Sequence, residues 1–139
     1  MPISVIALLS LVFFASPLPQ STPQASTPKL SVIPVADARM VNPITATPES
    51  QAQAKIRYGM DCAMCHGENG NGKGDPGIIS DMSLTMMDLT NPATLKNRTD
   101  GEIFYIIKNG QGKMPAEDRA KPDEIWNLVV YLRAFSKPQ

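Results

Sequence analysis

Both cysteines and the single histidine of this 139-residue chain lie within five consecutive residues, Cys62-Ala63-Met64-Cys65-His66. Scattered at random they would take this arrangement on the order of once in ten thousand placements, so the window calls for a chemical cause. It also removes the usual supports of a small domain. A structural zinc site needs four protein ligands, and the chain has three cysteines and histidines in all. A thioredoxin-like pair needs a helix N-terminus after a strand to lower the first thiol's pKa, and no strand-helix context surrounds Cys62.

C-x-x-C-H is the attachment sequence of c-type haem. Each thiol adds to one vinyl group of the porphyrin. The two intervening residues let the backbone turn so that both sulfurs reach the same ring edge. The histidine that follows supplies the proximal nitrogen to the iron. With Cys62 and Cys65 committed to the porphyrin, no thiol remains for a disulfide. A domain of about 90 residues builds only a modest core, which a large apolar disc would enlarge.

The chain changes character along its length. Residues 1–16 form a signal-like apolar segment, in which Ile3 to Ala15 is almost wholly apolar. Thirteen residues of helix rise roughly 20 Å, short of the ~30 Å hydrocarbon core, which suits a secretory h-region better than a membrane span. No Lys or Arg precedes it and no small-x-small cleavage site follows, so removal and retention as a weak anchor both stay open. Residues 17–46 read as an extended linker of Pro, Ser, Thr, Gln and Ala, too poor in apolar surface to offset the entropy of ordering. The domain is expected over 47–139. From Thr47 onward eleven Lys/Arg face twelve Asp/Glu, a balance without the basic face that nucleic acid requires.

Within the domain, Thr47-Pro48-Glu49 reads as a helix start, with the helix running to about Met60. Five glycines between Gly67 and Gly77 argue against helix there and for tight turns. A phosphate-cradling loop is set aside, since no Gly-Lys-Ser/Thr follows and no helix is expected to begin there. Met82, Met86 and Met87 suit flexible packing against a porphyrin face. Thr99-Asp100-Gly101-Glu102 forms a capping box for a helix that carries the apolar stripe Ile103, Ile106, Ile107 and stops at Asn109-Gly110. A last helix starts at Lys121-Pro122, with Ile125, Leu128, Val129, Leu132 and Phe135 on one stripe and Trp126 and Tyr131 flanking it. No segment shows sustained strand alternation, so the fold is expected to be all-α.

Three stretches carry a family resemblance: Cys62-Ala63-Met64-Cys65-His66-Gly67, Gly112-Lys113-Met114-Pro115, and Glu124 to Leu132. Over about the last 90 residues the chain resembles a small single-haem cytochrome c of the His/Met-ligated type. The resemblance implies three to five short helices wrapped around one covalently bound haem c, preceded by a disordered N-terminal segment. It implies Cys62 and Cys65 as the thioether residues, and His66 and Met114 as the axial ligands of the iron. Met82, Met86 and Met87 compete for Met114's place. It also implies a contact between Tyr58 and Tyr131 where the first and last helices cross, with Ala54 in a position usually held by glycine. A backbone carbonyl, from Pro76 or a neighbour, would hold the other nitrogen of His66.

Two protein ligands leave no open position on iron, which favours moving single electrons over activating oxygen or peroxide. The expected function is an exported, periplasmic or otherwise extracytoplasmic monomeric electron carrier, meeting redox-protein donors and acceptors transiently. Membrane association through the N-terminal segment is an open option. Lys113 either steers an acidic partner or is an ordinary solvated lysine. The alternatives are a haem subunit of a larger oxidase or dehydrogenase, and a peroxidase or gas-binding protein if Met114 does not ligate.

Overall fold

A computed structural model describes residues 32–137. The expected 1–16 segment and the first part of the linker lie outside the described residues. The described part is helical, with seven helices: α1 (Val35–Ala38), α2 (Pro48–Asp61), α3 (Ala63–His66), α4 (Pro76–Asp81), α5 (Pro92–Lys96), α6 (Asp100–Asn109) and α7 (Pro122–Phe135). Among the described residues the sole β feature is an isolated bridge between Gln111 and Met114. The all-α expectation holds. The helix count exceeds three to five because four short segments, α1, α3, α4 and α5, join the three long ones. Among the described residues no helix is long and apolar enough to cross a membrane.

The long helices begin where local chemistry dictates. Thr47 caps α2 by accepting the Ser50 N–H, while Ser50 Oγ accepts the Thr47 N–H, and Pro48 opens the first turn. Thr99 and Glu102 make the expected reciprocal pair at α6, at 3.1 and 2.8 Å. At α7 the Glu124 carboxylate accepts the Lys121 N–H at 2.7 Å. These bonds satisfy backbone donors that no preceding turn can reach.

The core lies where α2, α6 and α7 meet. Ile125, Leu128 and Val129 of α7 are essentially fully buried, as their spacing requires. Ala54 and Tyr58 form the buried face of α2, one turn apart. Tyr58 meets Tyr131 with ring centroids 5.5 Å apart, the expected contact, and Phe135 at 5.1 Å completes an aromatic cluster. On α6 the buried face is Ile103, Phe104 and Ile107, and Ile106 is half-buried. Trp126, at the flank of the stripe, is buried as well and stacks on Phe104 at 4.2 Å. Arg133 of α7 donates to the Leu95 carbonyl at 2.6 Å and pairs with Asp100 at 2.9 Å, tying α5 and α6 to the last helix.

Residues 32–46 correct the expected linker. α1 and the chain after it form a strap across α6 and α7. The Thr99 hydroxyl donates to the Ala38 carbonyl at 2.6 Å, and the Asn42 amide donates to the Trp126 carbonyl at 3.2 Å. Met40 and Ile44 pack against the core. The approach is close enough that a Cβ on Gly101 would overlap the Asp37 carbonyl and crowd Met40. Two apolar residues and two hydrogen bonds suffice here because the strap lies along a face already formed. Proline-rich composition does not register that.

Candidate haem-attachment site

Three of the four expected site residues share one turn. Cys62 ends α2, its N–H donating to the Tyr58 carbonyl at 2.9 Å, and at the same time opens α3. The Cys65 and His66 N–H groups both donate to the Cys62 carbonyl, at 3.1 and 2.9 Å. This one-turn helix puts the two sulfurs at i and i+3, on neighbouring positions of one face. Both thiols are free and half-buried. Burial, reinforced by the nearby Asp61 and Glu117 carboxylates, pushes the Cys62 thiol up to about 12. A reactive redox thiol would be shifted the other way, so the geometry speaks against thioredoxin-like chemistry. Burial lowers the His66 pKa, so the imidazole is neutral at pH 7 with a lone pair to offer a metal.

The chain after His66 closes around this turn. Gly67, Gly70 and Gly72 turn with positive φ, as the glycine spacing implies. The Gly72 N–H donates to the His66 carbonyl at 2.9 Å and the Asp75 N–H to the Met64 carbonyl at 2.7 Å. The Tyr58 hydroxyl donates to the Gly67 carbonyl at 2.7 Å. Gly74 lies so close to the Met64 and Cys65 carbonyls that a Cβ there has no room. Two expectations fail in this loop. A helix does start in it, α4, because Asp75 caps the Ile78 N–H and Pro76 supplies the first turn. No carbonyl holds the second nitrogen of His66: its Nδ1 is buried without a partner.

Met114 comes from a different part of the chain. After α6, residues 111–114 form a turn closed by reciprocal backbone bonds between Gln111 and Met114, both 3.0 Å. Met114 is half-buried, and like Cys62 and Ala63 it packs against the central cluster. Met82 and Met87 are 45% and 59% exposed, and Met86 is half-buried. Lys113 is exposed but not idle. Its ammonium donates to the Met82 and Ser83 carbonyls, at 2.7 and 3.0 Å, and fastens the methionine turn to the end of α4.

These residues fit a covalently held haem. Two thiols one turn apart and a neutral imidazole beside them supply the thioether and nitrogen donors that such a haem takes, and half-exposed methionines elsewhere in the domain are soft donors of the right kind. Among the described residues no group of three or more His, Cys, Asp or Glu is placed to hold a metal ion. A surface hollow of about 350 Å³ lined by Met60, Met64, Glu68 and Lys73 includes none of the four expected residues. Residue-by-residue reading missed the Tyr58 hydroxyl and the charges Arg57, Asp61, Glu117 and Arg119 around Cys62. Tyr58 carried a packing signal only, and the charged residues are brought together from distant parts of the chain.

A family model described as cytochrome C oxidase, cbb3-type, subunit III matches residues 49–132. The cbb3-type cytochrome c oxidase subunit FixP of Azorhizobium caulinodans is 34% identical over 95 residues, which are 67% of this chain and 29% of that protein. The chain thus spans under a third of that relative's length. A chain of the Kuenenia stuttgartiensis reducing HAO-like protein complex shares the fold with a TM-score of 0.58 at 21% identity, over 68% of this chain and 47% of the other. The c-type cytochrome KustC0563 superposes with a TM-score of 0.50 at 26% identity, over 60% of this chain and 98% of its own.

Proposed function

Because this chain belongs to the family of cbb3-type cytochrome c oxidase subunit III, and so carries a c-type cytochrome domain with haem c, we propose that it is an extracytoplasmic one-electron carrier ligated through His66 and Met114. Haem c supplies a one-electron iron couple. Cys62 and Cys65 hold its edge through thioethers. His66 offers a neutral imidazole from a turn whose backbone is held by its own hydrogen bonds. Met114 offers a soft thioether, which favours ferrous iron and raises the potential. The observation that carries the reading is the placement of Cys62, Cys65 and His66 on one clamped helical turn.

The test is the absorption spectrum of protein matured with haem-attachment machinery. The oxidised form is expected to show the weak far-red charge-transfer band of a thioether–ferric bond, and the reduced form to ignore carbon monoxide. Met114→Ala is expected to lose the band. Ready carbon monoxide binding by the unaltered protein would refute His/Met ligation and favour a gas-binding or peroxidase function.

A second reading is that the domain delivers electrons inside a larger assembly. The FixP relative, more than three times the matched length and named as an oxidase subunit, favours it. Partners in either case are redox proteins. Copurification of the domain with a membrane oxidase would select the second reading, and recovery as a soluble monomer the first.

A further inference from the structure

The connection from Met114 to α7 runs through residues 115–121 without helix or strand, and Pro115, Ala116, Asp118 and Arg119 are exposed. Little apolar burial holds it in place, so its anchors are polar. The Glu117 N–H donates to the Ile107 carbonyl at 2.8 Å. The other anchors converge on the last turn of α2. Arg119 pairs with Asp61, the residue immediately before Cys62. Glu117 lies 4.0 Å from Arg57, which in turn reaches Asp61 at 3.5 Å and Glu124 at 2.9 Å.

The exposures decide which of these pairs matters. Arg119 is 72% exposed, and with an equally exposed partner its pair would contribute almost nothing. The Asp61 side chain, however, is 10% exposed and already oriented by Arg57. A shielded, pre-oriented carboxylate loses less side-chain entropy on pairing and feels less screening. On the other flank of the methionine turn, Lys113 grips the carbonyls of Met82 and Ser83. The turn is therefore pinned on both sides by charge, and on one side the pin ends on the helix that presents Cys62.

We propose that Asp61 is a positioning residue for Met114. By holding Arg119 and orienting Arg57, it clamps the segment leaving the methionine turn onto the thioether helix, and so sets how rarely the thioether leaves the iron. The inference rests on the reading of Met114 as a ligand. An added ligand that takes the methionine's place binds with an apparent affinity proportional to the fraction of molecules in which the thioether is off. Imidazole titration of the oxidised, haem-loaded full chain, followed at the far-red band, reads how that fraction changes between variants.

Asp61→Asn is expected to tighten imidazole binding about tenfold, and Arg119→Gln about three- to tenfold, as the displaced population grows. The double variant is expected to bind no more tightly than Asp61→Asn, because both changes break the same pair. Arg98→Gln removes an ordinary surface pair with Glu102 on α6, 3.6 Å apart, and is expected to leave imidazole affinity unchanged. If Asp61→Asn does not accumulate folded, Arg119→Gln alone decides. Affinities within twofold of the unaltered protein, additive single effects, or an equal response to Arg98→Gln would overturn the clamp. An unaltered protein without the far-red band would instead overturn the ligand reading, and the clamp with it.

Discussion

Replacing Tyr58 by Phe deletes one oxygen atom and tests how the haem-binding turn is held. The Tyr58 side chain is 2% exposed, and its hydroxyl donates to the Gly67 carbonyl at 2.7 Å, one residue beyond His66. The ring contacts with Tyr131 and Phe135 survive the change. A buried neutral hydrogen bond contributes about 1 kcal/mol net, and a carbonyl stranded without any partner would cost about 1–3 kcal/mol. Gly67 is not stranded, because the Gly70 N–H donates to the same oxygen at 3.0 Å. The expected loss is therefore about 1 kcal/mol, or about 4–8 °C in Tm for a domain of this size. Guanidinium unfolding of the haem-loaded protein at pH 7 measures it, with an unchanged m-value confirming that the denatured state is the same. Burial also raises the Tyr58 phenol above its ordinary value of 10.0. A group whose folded pKa is raised stabilises fully below its unfolded pKa and loses that contribution as pH rises toward the folded one. The stability gap between Tyr58 and Phe should thus narrow above pH 10.0. A gap under about 0.3 kcal/mol at pH 7, or one that widens with alkali, would refute the assignment of this bond as a clamp.

Two further changes probe the rest of the fold. Gly101→Ala puts a methyl group into the Asp37 carbonyl, so the strap must move and the Thr99–Ala38 bond is lost; about 1–3 kcal/mol of destabilisation and new protease cleavage within 32–46 are expected, and unchanged proteolysis would mean that the strap contributes nothing. The Lys121 N–H first, and Arg57 second, hold the Glu124 carboxyl below its ordinary value of 4.5, so its contribution is present above that pH and lost as pH falls through the lowered pKa. Urea midpoints measured from neutral to acid pH should fall less steeply below pH 4.5 in Glu124→Gln than in the unaltered protein.

What is legible in the sequence is local or periodic. The cap pairs at Thr47 and Thr99 use residues three apart, so chain connectivity places the partners within reach before any tertiary contact forms. The α7 stripe follows from 3.6 residues per turn, and it buries Ile125, Leu128 and Val129 as the period demands. Periodicity reports the centre of a stripe and not its width; Phe104 of α6 extends the buried face around the helix to the flanking Trp126. The strap is not legible in composition. Composition averages over a window, whereas Met40, Asn42 and Ile44 succeed individually by fitting one preformed surface.

The chemistry of the site divides in the same way. C-x-x-C-H is complete within five residues, so the amino-acid sequence by itself determined that the two sulfurs and the imidazole share one turn, and with them the haem. What the rest of the molecule does to that turn required the fold. Tyr58 reaching Gly67, Lys113 on the carbonyls of Met82 and Ser83, and Arg119 on Asp61 join residues separated by 9 to 58 positions. Backbone periodicity sets which way a side chain points along its own helix. Only the packing of α2 against α7, and of the loops around them, decides which charges and hydroxyls meet, because those distances depend on every residue that fills the space between.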